Sequence, residues 1–152
     1  MATTASRLSL TVRAIALADA SAIAELSVQL GYDANVAEMR KRIEALLPLP
    51  DDHIALVACL DSEVVGWIEA EVAHHLQSSP HTLITGLVVK DGVRSHGIGR
   101  RLCAEVEEWS RRNGISIVRV TSRSTRERAH RFYLRDGFAQ TKISHVFEKV
   151  LS

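Results

Sequence analysis

Apolar residues recur along the chain with two periods, one typical of strands and the other of helices. Alternation over Leu8–Ile15 predicts a strand at the start. Helical spacing then occurs twice, first in a segment that Asp19 can cap and Gly31 can end. Asn35 can cap the second helix, and Pro48 ends it. The chain therefore opens with a strand followed by two helices.

Three strand-like runs follow in the middle of the chain, joined by short polar turns. They are His53–Leu60, Val64–Ala73 and His81–Lys90. A long amphipathic helix comes next, because apolar residues recur three and four positions apart from Ile98 to Trp109. Asn113 and Gly114 end this helix.

The last part of the chain repeats the order of a strand and then a helix. Ile115–Val120 predicts a strand, and Ser124 with Glu127 forms the capping box of a short helix. Alternation over Lys142–Val150 predicts a final strand, with a shorter strand at Phe138–Thr141 before it.

The order of elements, β-α-α-β-β-β-α-β-α-β(β), predicts an α/β (α+β) fold. Its sheet is mixed and mostly antiparallel, with one parallel crossover, and helices flank it. No repeat, linker or low-complexity tract divides the chain. Residues 1–152 are therefore predicted to form a single domain, with residues 1–6 disordered.

Composition and charge narrow the classes of partner. Of 152 residues, 46% are hydrophobic and 24% are charged, and the formal net charge is only +1. This balance argues against bulk electrostatic binding to nucleic acid or to an anionic membrane. No apolar run approaches membrane-spanning length, and Cys59 and Cys103 lie in apolar segments, as expected for buried, reduced thiols. A soluble, cytoplasmic protein is the prediction.

Glycines and arginines crowd between the third middle strand and the long helix, in the segment VKDGVRSHGIGRRL (Val89–Leu102). A helix N-terminus presents unpaired N–H groups and a partial positive charge, and glycines let an anion approach them. The segment therefore indicates a phosphate site. A nucleotide P-loop needs Lys after its last glycine, but Ile98 follows Gly97 here. A dinucleotide fingerprint needs a third glycine where Leu102 stands.

Two stretches, Arg94-Ser95-His96-Gly97-Ile98-Gly99 and Ala129–Phe138, are separated by one helix and one strand. The first resembles the Arg/Gln-x-x-Gly-x-Gly/Ala loop of the GNAT superfamily of acyl-CoA-dependent N-acetyltransferases. The second is similar to that family's later helix, Ala-x-x-Phe/Leu-Tyr-x-x-x-Gly-Phe. The resemblance implies the family's fold, acetyl-CoA (coenzyme A) as co-substrate, and no metal.

In the family, backbone amides of the loop wrap the diphosphate of coenzyme A, and the strand before the loop pairs with the pantetheine arm. The resemblance implies cofactor contacts at Leu87, Val88, Val89, Arg94, Ser95, His96, Gly97, Ile98, Gly99, Arg100, Ser122 and Tyr133. Ser122 stands in a loop where relatives often place an Asn. Arginines of the later helix and its preceding loop are candidates for the 3′-phosphate.

Acetyl transfer from a thioester needs a proton donor for the departing thiolate and a base for the amine. The resemblance makes Tyr133 the general acid, and a tyrosine hydroxyl with a reference pKa of about 10 stays protonated near neutrality. Many relatives carry a carboxylate where Thr85 stands, so the base stays open. The candidates are Glu69 and Glu71, acting through water, and His74 and His81.

The acceptor is expected to enter beside the first two helices and the middle strands. The predicted lining residues are Tyr32, Asp33, Trp67 and His74. Acidic groups in this region favour a cationic amine of a small molecule or peptide. Neither cysteine is placed as an acyl carrier, so direct transfer in a ternary complex is expected. A homodimer is expected by resemblance.

Two other classes of function remain open. A non-catalytic acyl-CoA-binding or sensing domain would keep the loop without a competent base, and Thr85 favours that class. An arginine-rich nucleic-acid binder would show steeply salt-dependent affinity for oligonucleotides, but aromatic residues for base stacking are sparse.

Overall fold

The structure is a computed structural model that describes residues 9–33, 35–93 and 96–152. The disorder predicted for residues 1–6 and the cofactor contacts predicted for Arg94 and Ser95 lie outside the described residues. The chain divides into two compact units, Met1–Thr121 and Ser122–Ser152.

The first unit is built on one five-stranded sheet. Its strands lie in chain order and are β1 (Leu10–Ala14), β2 (His53–Leu60), β3 (Glu63–His75), β4 (Ser78–Val89) and β5 (Val118–Val120). Neighbours among β1 to β4 are antiparallel, whereas β4 and β5 are parallel. The predicted mostly antiparallel sheet with one parallel crossover is therefore confirmed.

The described helices are α1 (Ala20–Ser27), α2 (Val36–Leu46), α3 (Ile98–Arg112) and α4 (Glu127–Arg135). Short 3-10 turns at Leu17–Asp19 and Val28–Leu30 precede and follow α1. Asn35 caps α2 as predicted, since its Oδ1 accepts a hydrogen bond from the Glu38 N–H at 3.0 Å. Within the described ranges, no helix is both long and apolar enough to cross a bilayer.

Core packing uses both faces of the sheet. Ile23 of α1 and Ile43 of α2 belong to a buried cluster, and Trp67 of β3 packs against it. Gly66 precedes Trp67 and therefore faces the other way, toward α3. A Cβ on Gly66 would lie 3.3 Å from the side chain of Ile98. The two cysteines, Cys59 and Cys103, are buried, as predicted.

Two predicted helix caps are wrong, although both helices are present. The Asp19 side chain makes no capping hydrogen bond to α1. Its carboxylate instead accepts hydrogen bonds from the Arg13 guanidinium and from the Ala16 N–H, each at 2.8 Å. Ser124 does not cap α4, because that helix begins at Glu127 itself. A capping box needs the acidic residue at the third helical position, so Glu127 stands too early.

The predicted strands Phe138–Thr141 and Lys142–Val150 are not formed. Residues 138–152 carry no regular secondary structure. The side chains of Ile143, Phe147 and Leu151 are 75%, 92% and 83% exposed. Alternation shows which side chains would share a face, but a strand also needs a neighbour for its backbone N–H and C=O groups. The structure describes no strand within the unit Ser122–Ser152, so periodicity alone was misleading here.

Candidate active site

One face of β3 changes from apolar to acidic along its length. Trp67, Glu69 and Glu71 alternate in sequence and therefore share that face, whereas a β-bulge at Val65 breaks the alternation before Trp67. Trp67 packs against the core cluster of α1 and α2, whereas both carboxylates are partly exposed. The sheet thus places two acidic side chains where this face reaches solvent.

Trp67 reaches diagonally across to β4. Its Cα partner is Val88, but its ring lies over Gly86, where an added Cβ would fall 2.4 Å from the indole. The indole N–H is buried and has no hydrogen-bond partner among the described residues. The ring therefore forms a wall beside Leu87, whose backbone the resemblance assigns to the cofactor.

Glu69 is held by a residue that sequence reasoning missed. Its Oε2 lies 2.8 Å from Nε2 of His53 at the start of β2, and the two side chains are 29% and 15% exposed. The strand register places Ala55 opposite Glu69, so this contact runs diagonally between strands. The sequence carries no local signal for register, so only the structure could reveal the pair.

A β-bulge changes the course of β4 next to Glu69. Glu69 pairs with Gly86 and Ala70 pairs with Ile84, which leaves Thr85 as an extra residue. The Thr85 hydroxyl donates a hydrogen bond to the Glu69 carbonyl oxygen at 3.3 Å. The position where many relatives carry a carboxylate is therefore a backbone-bonded threonine in this chain.

Beyond the bulge, one edge of β4 is no longer paired with β5. β5 pairs with β4 only over Thr82–Ile84, and in the described part of the chain no strand continues that edge. The Lys90 N–H donates to the Val65 carbonyl of β3 at 2.7 Å. Since successive residues face opposite edges, Leu87 and Val89 direct their backbone groups toward the β5 side.

The chain after β4 makes a glycine turn and enters α3. Gly92 and Gly97 have φ angles of 89° and 69°, both in the left-handed region. A Cβ at either residue would meet nothing within 4 Å. Gly97 is the N-cap of α3, and this helix has no side-chain capping hydrogen bond. Open space beside uncapped helical N–H groups fits the diphosphate that the resemblance places here.

Side chains around this helix start have separate tasks. Ile98 is 0% exposed and fixes α3 on the sheet, whereas His96 and Arg100 are exposed. Lys90 hydrogen-bonds Glu63, and that bond holds the pKa of its ammonium above the usual value. The described part of the loop therefore offers an anion both backbone N–H groups and exposed basic side chains.

In the second unit, α4 carries the aromatic residues of the later motif. Tyr133 makes edge-to-face contacts with Phe132 and Phe138, with ring centroids 5.4 and 5.5 Å apart. Gly137, at a φ of 92°, reverses the chain, and the Phe138 N–H donates to the Tyr133 carbonyl at 2.9 Å. The Ser122 hydroxyl is buried and has no hydrogen-bond partner within the described structure.

Comparison with known families matches the sequence to the Acetyltransferase (GNAT) family over residues 21–138, which include both motifs. The chain belongs to the GNAT acetyltransferase family. An aminoalkylphosphonate N-acetyltransferase of Salmonella typhimurium is 35% identical over 117 residues, 76% of this chain and 73% of that protein. An aminoglycoside N(6')-acetyltransferase type 1 of Stenotrophomonas maltophilia is 29% identical over 136 residues, 87% and 88% of the two chains.

Solved structures of other acetyltransferases share this GNAT fold. The aminoglycoside N-acetyltransferase AAC(6')-Iy, solved in complex with CoA, has a TM-score of 0.84 at 18% identity, covering 97% of this chain and 99% of that chain. Glucosamine-6-phosphate N-acetyltransferase from Arabidopsis thaliana has a TM-score of 0.78 at 16% identity, covering 92% and 98%. Likeness at this identity establishes the fold and leaves the substrate open.

The candidate histidines of this GNAT-family chain differ in their surroundings. His74 is exposed near the end of β3. His81 is 1% exposed, with Nδ1 3.1 Å from the Ser79 carbonyl oxygen and Nε2 3.4 Å from the Arg119 guanidinium. Both ring nitrogens of His81 therefore have partners within the fold. The described residues contain no cluster of three or more side chains suited to a metal ion.

The predicted acceptor-lining residues of the GNAT fold fall into two groups. Trp67 lies over Gly86, next to Glu69 on β3, whereas His74 is exposed near the end of the same strand. Tyr32 and Asp33 lie in the exposed connection after Gly31, and Tyr32 is 61% exposed. Of the four predicted residues, Trp67 thus lies at β4, and Tyr32, Asp33 and His74 lie at the surface.

Proposed function

We propose that this chain is an acetyl-CoA-dependent N-acetyltransferase that acetylates a primary amine of a small molecule or peptide in a ternary complex. One observation carries the proposal. After Ile84, β5 no longer pairs with β4, and this edge of β4 leads to the turn with Gly92 and Gly97. An extended arm can pair with such an edge as an added strand does, and a glycine turn at a helix N-terminus suits a diphosphate.

Bound acetyl-CoA would supply the acetyl group as a thioester. The backbone groups of Leu87 and Val89, with Val88 between them, would hold its arm, and the Leu87 N–H would donate a hydrogen bond to the acyl oxygen. Amides and side chains of Arg94–Arg100 would hold the diphosphate, with Ser122 as a further contact. The open space beside Gly92 and Gly97 supports this assignment, since a larger side chain would occupy it.

Two groups would move protons. We assign the base to Glu69, acting through water, because it lies opposite Gly86 and His53 orients its carboxylate. Glu71, two residues further on the same face, is the second candidate. Tyr133 would donate its hydroxyl proton to the departing sulfur as general acid.

The acceptor we propose is a cationic amine, in the cytoplasm. Partly exposed carboxylates on β3 attract positive charge, and relatives at 29% and 35% identity are named for aminoglycosides and an aminoalkylphosphonate. Aminoglycosides carry several amines, whereas an aminoalkylphosphonate also carries an anionic group. The acidic face therefore favours an amino sugar, polyamine or lysine-like group. Self-association as a homodimer stays a prediction.

A second candidate function is a non-catalytic acyl-CoA sensor. Thr85 favours it, because its hydroxyl is bonded to backbone where many relatives carry a carboxylate. A sensor would bind acetyl-CoA and release no thiol in the presence of any amine.

Calorimetry of the full chain with CoA, joined to a thiol-release assay over a panel of amines, tests the proposal. We expect CoA to bind and at least one cationic amine to drive thiol release. Binding without release for every amine would favour the sensor. Absence of CoA binding at about millimolar levels (a free energy near −4 kcal/mol) would end both functions. Release with only neutral or anionic amines would refute the cationic acceptor.

A further inference from the structure

The side chain of Gln29 bonds to the backbone where β4 ends. Its Nε2 donates to the Val89 carbonyl at 2.8 Å, and its Oε1 accepts from the Asp91 N–H at 3.0 Å. These contacts join residues 60 and 62 positions apart in sequence. Between them, the Lys90 N–H is bonded to Val65 on the opposite edge. One carboxamide therefore holds the chain on both sides of Lys90.

This pair of bonds has the pattern of a parallel β-bridge. In a parallel ladder, a neighbouring strand donates to the residue before and accepts from the residue after the one it faces. β5 supplies such bonds only along Thr82–Ile84. Beside Lys90, the Gln29 carboxamide supplies the donor and the acceptor that a neighbouring strand would otherwise supply. The end of β4 is thus held by a side chain from the α1 side of the molecule.

The bonds matter because the residue after Asp91 is a glycine. Gly92, at a φ of 89°, can adopt both left- and right-handed backbone conformations, so local sterics do not set the direction of the turn. The hydrogen bond within the turn, from the Val93 N–H to the Lys90 carbonyl, is longer, at 3.3 Å. The bond at the Asp91 N–H therefore adds a restraint at the start of the turn.

Gln29 is itself firmly held. It lies in the 3-10 turn Val28–Leu30, directly after α1, and Gly31 ends that turn at a φ of 94°. Ser27 is 4% exposed, and its hydroxyl donates to the Ile23 carbonyl at 2.7 Å. The buried side of α1 therefore fixes the base from which Gln29 reaches β4.

We propose that Gln29 is a positioning residue that orients the start of the glycine turn for the diphosphate of coenzyme A. The role rests on the proposed function, since it presumes that this turn receives the cofactor. Gln29 acts through the Val89 carbonyl and the Asp91 N–H and need not touch the cofactor. It also ties α1, on the acceptor side, to the turn.

The test is Gln29→Met, which keeps the side-chain length and removes both hydrogen bonds. We expect the Kd for CoA to rise about 5- to 10-fold, the effect of losing hydrogen bonds worth about 1 kcal/mol. KM for acetyl-CoA should rise with it, while kcat at saturating acetyl-CoA stays unchanged. Without cofactor, amide hydrogen exchange over residues 88–93 should be faster than in the wild type. Gln77→Met, in the exposed turn between β3 and β4, is the matched control.

Each other outcome decides against the role. Unchanged or tighter CoA binding by Gln29→Met would overturn it. So would a general defect, in which CoA affinity falls, the acceptor KM rises and the melting temperature falls to a similar degree. If Gln29→Met does not fold, Gln29→Asn keeps the carboxamide but shortens its reach, and weaker CoA binding is again expected. If the wild-type chain does not bind CoA, the proposed function itself is wrong. If the wild type binds CoA and the variant binds it equally well, only the role of Gln29 is wrong.

Discussion

The indole ring of Trp67 lies so close over Gly86 that a Cβ on residue 86 would fall 2.4 Å from it. Glycine inside a strand weakens it, so its presence there often marks a close approach by another group. The neighbour in this case is a rigid ring that also packs against the α1 and α2 core cluster. The Trp67 ring therefore belongs both to the packed core and to the wall of the candidate site.

We expect Gly86→Ala to displace the Trp67 ring. Overpacking of this kind costs about 1 to 3 kcal/mol of unfolding free energy, measurable by urea denaturation. The acceptor KM should also rise, because the displaced ring belongs to Trp67, a predicted acceptor-lining residue. In a Trp67→Leu background the same substitution should cost much less, giving a clear coupling energy in a double-mutant cycle. Additive costs would show that the ring does not restrict residue 86.

Much of this fold follows from local patterns in the sequence. The order of elements through α4 could be predicted because side-chain period, Asn35 and the glycine stops act within a few residues. The final strand over Lys142–Val150 could not, since strand formation depends on a partner elsewhere in the chain. Asp19 shows the same limit, because its carboxylate is taken by Arg13 rather than by the helix that follows.

The glycines at the two ends of α3 allow a matched test of the cofactor loop. Gly97 and Gly114 have φ angles of 69° and 71°, and a Cβ at either would meet nothing within 4 Å. Alanine at either position should cost about 1 to 2 kcal/mol of stability, the strain of a left-handed backbone. Only Gly97→Ala should also weaken CoA binding, since its methyl group would enter the space assigned to the diphosphate. Calorimetry showing equal effects on CoA affinity would contradict this assignment.

Turnover measurements on two variants can show whether Glu69 or Glu71 is the base. Glu69→Gln keeps the size of the side chain but removes the carboxylate that would take the amine proton. We expect kcat to fall about 100-fold or more, as for loss of a general base, with CoA affinity unchanged. His53→Gln should give a smaller loss, because it only removes the contact that orients Glu69. A larger loss of kcat for Glu71→Gln than for Glu69→Gln would move the base to Glu71.

The Arg13–Asp19 contact predicts an acid-sensitive part of the stability. Hydrogen bonding to Arg13 holds the pKa of Asp19, which is 5% exposed, below its ordinary value. Ionised Asp19 therefore stabilises the fold above about pH 4, and this contribution is lost as the pH falls through the lowered pKa. Asp19→Asn should lose about 1 to 3 kcal/mol near neutral pH and progressively less in acid.

Urea titrations at about pH 7 and about pH 3 measure this difference. Asp51→Asn, at an exposed aspartate in the turn before β2, serves as the control and should change little at either pH. A constant difference between wild type and Asp19→Asn across the range would show that the charge of Asp19 contributes nothing.

The contacts that define the candidate site were the hardest to predict from sequence. His53 meets Glu69 only because β2 and β3 pair in one register, and Gln29 meets Val89 across 60 residues of chain. Neither residue belongs to a local motif. The glycine loop and Tyr133 could be identified because their spacing is local, whereas their supporting residues come from distant parts of the chain.

Tyr133→Phe isolates one hydroxyl group. Phenylalanine keeps the ring that meets Phe132 and Phe138, so the aromatic packing should be retained. If the hydroxyl protonates the departing thiolate, kcat should fall about 100-fold or more while the Kd for CoA is retained. Phe138→Leu disturbs the same ring contacts but keeps the hydroxyl, so it should lower the melting temperature more and kcat less. A kcat for Tyr133→Phe within about two-fold of wild type, well below the effect of a lost general acid, would leave the aromatic cluster with a packing role alone.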